Sequence, residues 1–274
     1  MKDHLLSLAA GERDPRVRMN LVREYLQIYI LRSFMEAGAF GSLAFHGGTA
    51  LRFLHGLRRF SEDLDFALER PEHDQGLLTL MKRVERDFEM AGYGIEIGIR
   101  EQRTVHSATA KFPGLLHETG LSSVRSAKLT IRIEVDTRPP EGAVLETRLV
   151  TRYFPVSFCA HDLRSCLSGK VHALLARRYT KGRDLFDLAW YLTHPSHPAP
   201  NLELLRNALR QTKWSGPDVD AGNWRRILYD RVSSLKWGAV VRDVEPFLED
   251  PRDRQVLDRR LLLAELERSA PPEK

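Results

Sequence analysis

Asp63 and Asp65 lie at the end of the stretch AFHGGTALRFLHGLRRFSEDLDFAL, residues 44–68. Acid and apolar residues alternate over 63–68, which predicts a strand. On a strand the two carboxylates share one face, while Leu64 and Phe66 take the other and can enter a core. Like charges held this close resist sharing a site unless a cation neutralises them. Mg2+ takes oxygen ligands, favouring carboxylates together with substrate phosphates. Two carboxylates from one strand can serve two such ions, the arrangement that clamps attacking and leaving oxygens in phosphoryl-type transfer. The bland counterpart is a solvated strand face, and the neighbouring Glu62 shows that acids here need not be ligands.

A third carboxylate is expected from LTIRIEVDT. Leu129, Ile131, Ile133 and Val135 form its apolar face, and Thr130, Arg132, Glu134 and Asp136 its polar one. A central strand beside 63–68 brings Glu134 to the metals. Asp136, one pleat further along, is the fallback.

Gly47 and Gly48 precede the acid pair. A strand, two glycines and a helix start make a phosphate seat. Glycine lets the backbone approach an anion closely, and the first N–H groups of the helix point at it. Thr49 is a natural N-cap and adds a hydroxyl donor. Taken alone, GGT marks a tight turn more often than a ligand site; the acids downstream change that balance.

The elements that must carry these residues are legible in part. Asp14-Pro15 reads as a cap followed by proline at the first helical position, opening a long amphipathic helix that ends at Gly38. A short strand over 42–45 and a helix over 49–55 flank the glycines. A helix over 77–91 stops at Gly92. Strands are expected over 93–100, 127–138 and 143–150, with a loop-rich stretch over 104–126. Beyond 158 helical patterns dominate: 163–179, 184–192, 202–211, 224–235 and 252–268, the last opened by Asp250-Pro251. The tail 269–274 is expected to fray. The chain thus reads as α+β, with a mixed α/β domain over 1–158 and an all-helical domain over 159–274.

The 274 residues, 42% hydrophobic and 29% charged, are enough for a packed core in one large or two modest domains. No signal-peptide core and no membrane-length apolar run is present, so a soluble, cytoplasmic protein without membrane partners is expected. Cys159 and Cys166, placed in the helical region, read as buried free thiols rather than a disulfide. His194 and His197 fall in a proline-rich turn rather than a metal site. Residues 159–274 carry 20 Lys+Arg against 16 Asp+Glu, whereas 1–158 carry 22 against 21. The basic surplus suits phosphate-rich partners, although an ordinary solvated helix face explains it as well. P-loop, kinase-loop, serine-elbow and G-x-G-x-x-G patterns are absent.

The stretch GGTALRFLHGLRRFSEDLDFAL resembles the signature of the DNA polymerase β-like nucleotidyltransferases, and above all of the AbiEii/AbiGii family of bacterial toxins. The spacing from Gly48 to Asp63 is long for the wider superfamily and usual for this branch. Two later motifs of the family also have counterparts: KVHALLARR, with Lys170, Arg177 and Arg178, and RDLFD, with Arg183, Asp184 and Asp187. The four motifs come in the family's order. The resemblance implies a polymerase β-like core with a mixed sheet, followed by a helical domain that contributes nucleotide- or RNA-binding residues. It implies catalytic roles for Asp63, Asp65, Glu134, Lys170 and Asp184, and nucleotide contacts from Gly47, Gly48, Thr49, Lys170, Arg177 and Arg178. On one continuous helix Lys170, Arg177 and Lys181 lie near one face. Lys170 then suits the β/γ-phosphates as a point charge, and Arg177 or Arg178 forks onto another phosphate. Asp184 orients Lys170 or Arg183 or meets the nucleotide, and Asp187 is open to a structural ion pair.

The expected activity is transfer of a nucleoside monophosphate from an NTP to an acceptor hydroxyl, with two Mg2+ ions on Asp63, Asp65 and Glu134 and release of pyrophosphate. The family further implies a toxin of a toxin–antitoxin or phage-defence system, a cognate antitoxin encoded nearby, and the 3′ end of tRNA as the acceptor. Two rivals stand beside this: an antibiotic-modifying nucleotidyltransferase, and a catalytically idle nucleotide- or RNA-binding module.

Overall fold

A computed structural model describes residues 1–102 and 104–268, so the tail expected to fray lies outside the described residues. The chain divides into two compact units, 1–54 with 60–139 and 146–160, and 55–59 with 140–145 and 161–274.

The first unit opens with α1 (Lys2–Gly11) and α2 (Pro15–Glu36). The Asp14 carboxylate accepts the Arg16 N–H at 2.8 Å, the expected cap. Then follow β1 (Leu43–His46), α3 (Gly47–His55), β2 (Asp63–Leu68), α4 (Leu77–Met90), β3 (Glu96–Gln102), β4 (Val105–Pro113), α5 (Leu115–Glu118), β5 (Lys128–Asp136), β6 (Leu145–Val150) and β7 (Val156–His161). The strands form one seven-stranded mixed sheet in the order β3-β4-β5-β2-β1-β7-β6. β2 is antiparallel to β1 and parallel to β5.

The core lies on the sheet face that carries Leu64, Phe66, Ile131 and Ile133. Phe34 of α2 packs on Phe66 at 5.4 Å between ring centroids, and Phe88 of α4 on Phe112 at 5.0 Å. Burial of such rings and branched side chains supplies the main driving force for the fold.

Several expectations are corrected. α2 is not amphipathic along its middle: Glu24 through Leu31 are all buried, Glu24 and Gln27 among them. Glu24 pairs with Arg52 and Arg152 and Gln27 Nε2 donates to two backbone carbonyls, which a periodicity argument cannot foresee. The stretch read as loop-rich contains β4, whose buried residues are Ala108, Ala110 and Phe112. Alanine is a weak strand former, so the alternation carried little signal. β7 carries Cys159, which therefore does not share a helix with Cys166; both are free thiols.

In the second unit all described elements after His161 are helical: α6 (Leu163–Ala176), α7 (Gly182–Leu192), α8 (Leu202–Gln211), α9 (Trp224–Ser233), α10 (Trp237–Val244) and α11 (Arg259–Glu267). α10 was not foreseen. The helix expected over 252–268 is split into a 3-10 turn, Pro251–Leu257, and α11, because Asp258 caps a new start through the Arg260 and Leu261 N–H groups. Among the described residues no helix is long and apolar enough to cross a membrane.

Candidate active site

The glycine pair and the acid pair form one construction in the first unit. Gly47 ends the turn from β1 into α3 with φ +80°, and a Cβ there would run into Oδ2 of Asp65. Only glycine combines that backbone with so close an approach. The helix begins at Gly47, so Thr49 lies inside its first turn rather than at the cap. Its hydroxyl donates to the carbonyl of Asp63 at 2.5 Å. Gln27 Nε2 donates to the carbonyls of Ser61 and Glu62 at 3.0 and 2.9 Å. The three carbonyls leading into β2 are thus held by side chains of α2 and α3. α3 is itself pinned by a buried Arg52–Glu24 ion pair, with the Arg52 guanidinium 4.1 Å from the centre of the Phe60 ring.

On β2 Asp63 and Asp65 are half-buried and face away from the buried Leu64 and Phe66. The parallel register with β5 sets Asp65 level with Glu134 and Asp63 level with Arg132. Registered neighbours point to the same side of the sheet. Asp136 is level with Ala67 instead, and its carboxylate accepts the Arg138 N–H at 3.0 Å. Burial pushes the Asp136 carboxyl up, against the pull of that N–H. On the other flank the antiparallel register sets His46 level with Asp65. His46, Asp65 and Glu134 therefore form one row across three strands.

The donor set is all carboxylate oxygen, two members are in register, and a glycine turn is shaped around one of them. This fits a hard divalent cation. As the side chains lie, no group of three or more His, Cys, Asp or Glu closes around a metal position among the described residues. Glu134 leans instead to Arg132, Oε1 to Nη1 3.7 Å.

The later motifs meet in the second unit, in a different form. α6 ends at Ala176, Arg177 is extended at its C-cap, and Lys181 caps α7. Lys170, Arg177 and Lys181 therefore do not share one continuous helix. Gly182 is the first residue of α7, and a Cβ there would strike the Val240 carbonyl. Lys170 Nζ lies 2.7 Å from Asp187 and 3.3 Å from Asp184. Asp187, wholly buried, is gripped by Arg59 through two bonds of 2.6 Å. Asp184 also takes Arg177 at 2.5 Å. Arg59, Asp187, Lys170, Asp184 and Arg177 make one chain of alternating charge, and Arg178 beside it is exposed.

Burial works against the Lys170 ammonium, but the Asp187 and Asp184 carboxylates outweigh it and hold its pKa above the usual lysine value. Burial likewise opposes the Asp187 carboxylate, yet Arg59 and Lys170 outweigh it and keep its pKa below the usual value. Arg59 was not foreseen, since nothing local separates it from the exposed Arg58. Arg132 and His46 were also missed as neighbours of the acids. The alternation of Arg132 with Glu134 and the place of His46 before Gly47 were the available signals.

Solved structures share this fold. JHP933 from Helicobacter pylori aligns over 90% of this chain and 88% of its own, with a TM-score of 0.56 and 23% identity. A candidate nucleotidyltransferase from H. pylori aligns over 90% of both chains, with a TM-score of 0.55 and 23% identity. Comparison with curated protein sequences finds no match. Residues 29–259 match the family model of the nucleotidyl transferase AbiEii toxin, type IV toxin–antitoxin system. The chain belongs to that AbiEii family of nucleotidyltransferase toxins, as the motif order led us to expect.

Proposed function

We propose that the protein transfers a nucleoside monophosphate from an NTP to an acceptor hydroxyl on RNA, with the 3′ end of tRNA as the first candidate. The observation that supports the transfer chemistry is the row formed by Asp65 and Glu134 in register, with Gly47 packed against the Asp65 carboxylate, while the RNA acceptor rests on the family resemblance. Asp63, Asp65 and Glu134 would hold two Mg2+ ions. Bound there, the ions would supply neutralising charge to the reacting phosphate and would lower the pKa of the acceptor hydroxyl. The acceptor oxygen forms a bond to the α-phosphorus, the α–β phosphoanhydride bond breaks, and pyrophosphate leaves with its electron pair. The hydroxyl proton passes to a carboxylate of the row or to solvent. Gly47, Gly48 and Thr49 at the start of α3 suit phosphate oxygens through backbone N–H groups.

Lys170, Arg177 and Arg178 remain our candidates for the anionic groups of the substrate, and Asp184 orients Lys170. Asp184 and Asp187 occupy two of the three N–H donors of Lys170, and the alternating chain holds three cations against two carboxylates. The family name implies a cognate antitoxin for this chain too.

Labelled NTPs are incubated with total tRNA and Mg2+, beside an aminoglycoside panel. Label on RNA that is lost in Asp65→Ala is expected. Label on the aminoglycosides alone moves the acceptor to small molecules, and no Asp65-dependent label on either argues for an idle binding module.

A further inference from the structure

We infer that Arg132 is a built-in counter-ion of the acidic face, holding Glu134 until a divalent cation displaces it. Four charged side chains share this patch of two strands: Asp63 and Asp65 on β2, Arg132 and Glu134 on β5. Arg132 is level with Asp63 and lies 3.7 Å from Glu134, two residues along its own strand. It sets a positive charge beside carboxylates whose backbones the sheet fixes side by side. The pair is open, with Arg132 57% and Glu134 39% exposed. An exposed pair of this length is weak, so a cation with two charges can win Glu134 from it. A strong buried pair, such as Arg59 with Asp187, could not be exchanged in this way. Asp65, shaped by Gly47, is the fixed ligand; Glu134 is the ligand that changes partner. Arg132 acts through Glu134 and is a positioning residue, and its guanidinium sets how tightly metal is held before any nucleotide arrives.

The inference rests on the metal reading of the same carboxylates, so the test measures metal binding without nucleotide or activity. Mn2+ is titrated into wild type, Arg132→Gln, Asp65→Asn and Lys111→Gln by calorimetry. Lys111 is level with Thr130 on the adjoining strand β4, on the same side of the sheet but further from Glu134. Arg132→Gln is expected to bind Mn2+ about twofold to fivefold more tightly than wild type, the range a weak exposed pair allows. Lys111→Gln should gain clearly less, and Asp65→Asn should lose the site. Unchanged or weaker binding in Arg132→Gln, with Asp65-dependent binding intact in wild type, overturns the counter-ion role and leaves the metal reading standing. An equal gain in Lys111→Gln also overturns it, because general field rather than exchange at Glu134 would then explain the result. Absence of Asp65-dependent Mn2+ binding in both wild type and Arg132→Gln overturns the metal reading and this inference with it.

Discussion

The two charge clusters use the same residue types under opposite physical conditions. On the sheet, Arg132 and Glu134 are half-exposed and 3.7 Å apart. In the helical unit, Arg59 and Asp187 are excluded from water and joined by two bonds of 2.6 Å. The first pair costs little to open and is suited to exchange with a ligand. The second has paid its desolvation already, and removing either partner takes a strong, doubly bonded contact from a buried charge. Motif residues therefore divide by burial: Asp63, Asp65 and Glu134 are partly exposed, whereas Asp187 is wholly buried among its ion pairs.

The sharpest separation between the clusters is expected from alanine at the acids. Asp63→Ala and Asp65→Ala should each reduce transfer to background while thermal melting without Mg2+ is unchanged or slightly raised, because clustered like charges are removed. Full transfer by either purified variant would break the comparison at its catalytic end. Asp187→Ala should do the converse, costing about 3–5 kcal/mol in chemical denaturation by taking from buried Arg59 its doubly bonded carboxylate and leaving Lys170 with Asp184. A melt within a degree of wild type would show that the buried network is not structural.

Smaller effects sharpen the picture. Lys170→Met removes one cation but leaves Asp187 on Arg59, so about 2 kcal/mol of stability is expected to go. On the nucleotide reading it also raises the apparent KM for NTP, whereas unchanged NTP kinetics would confine Lys170 to the network. Gly47→Ala meets both a left-handed backbone and the Asp65 carboxylate. A cost of about 1–3 kcal/mol, with transfer falling further than the melting shift explains, would tie the turn to the acid.

The least of these effects is in the pH profile of stability. The folded pKa of Asp187 is lowered, so its contribution is present above the ordinary carboxylate pKa and is lost as pH falls through the folded value. That of Lys170 is raised, so its contribution is present below the ordinary lysine pKa and is lost as pH rises through the folded value. Wild type should show a plateau between about pH 4 and pH 10. The acid limb should flatten in Asp187→Ala, and denaturant midpoints across pH would reveal it if it did not.

What the sequence by itself determined was local. The strand at 63–68 and its two-faced alternation were legible because period and burial agree within six residues. The Asp14-Pro15 start was legible because a cap and a fixed φ act within one turn. The family was legible because the motifs stand along the chain in the family's order. Tertiary structure decided the partners. Alternation put Glu134 and Asp136 on one face, with Glu134 the first choice and Asp136 the fallback, and the parallel register set Glu134 level with Asp65. β4 went unseen because alanines earn their place from neighbouring strands rather than from propensity. The extended path at Arg177 and the burial of Asp187 depend on residues far away in sequence, Arg59 above all. Hydrophobic period is a property of a segment, whereas register, desolvation and ion pairing are properties of which segments meet, and a single sequence encodes those only through the fold.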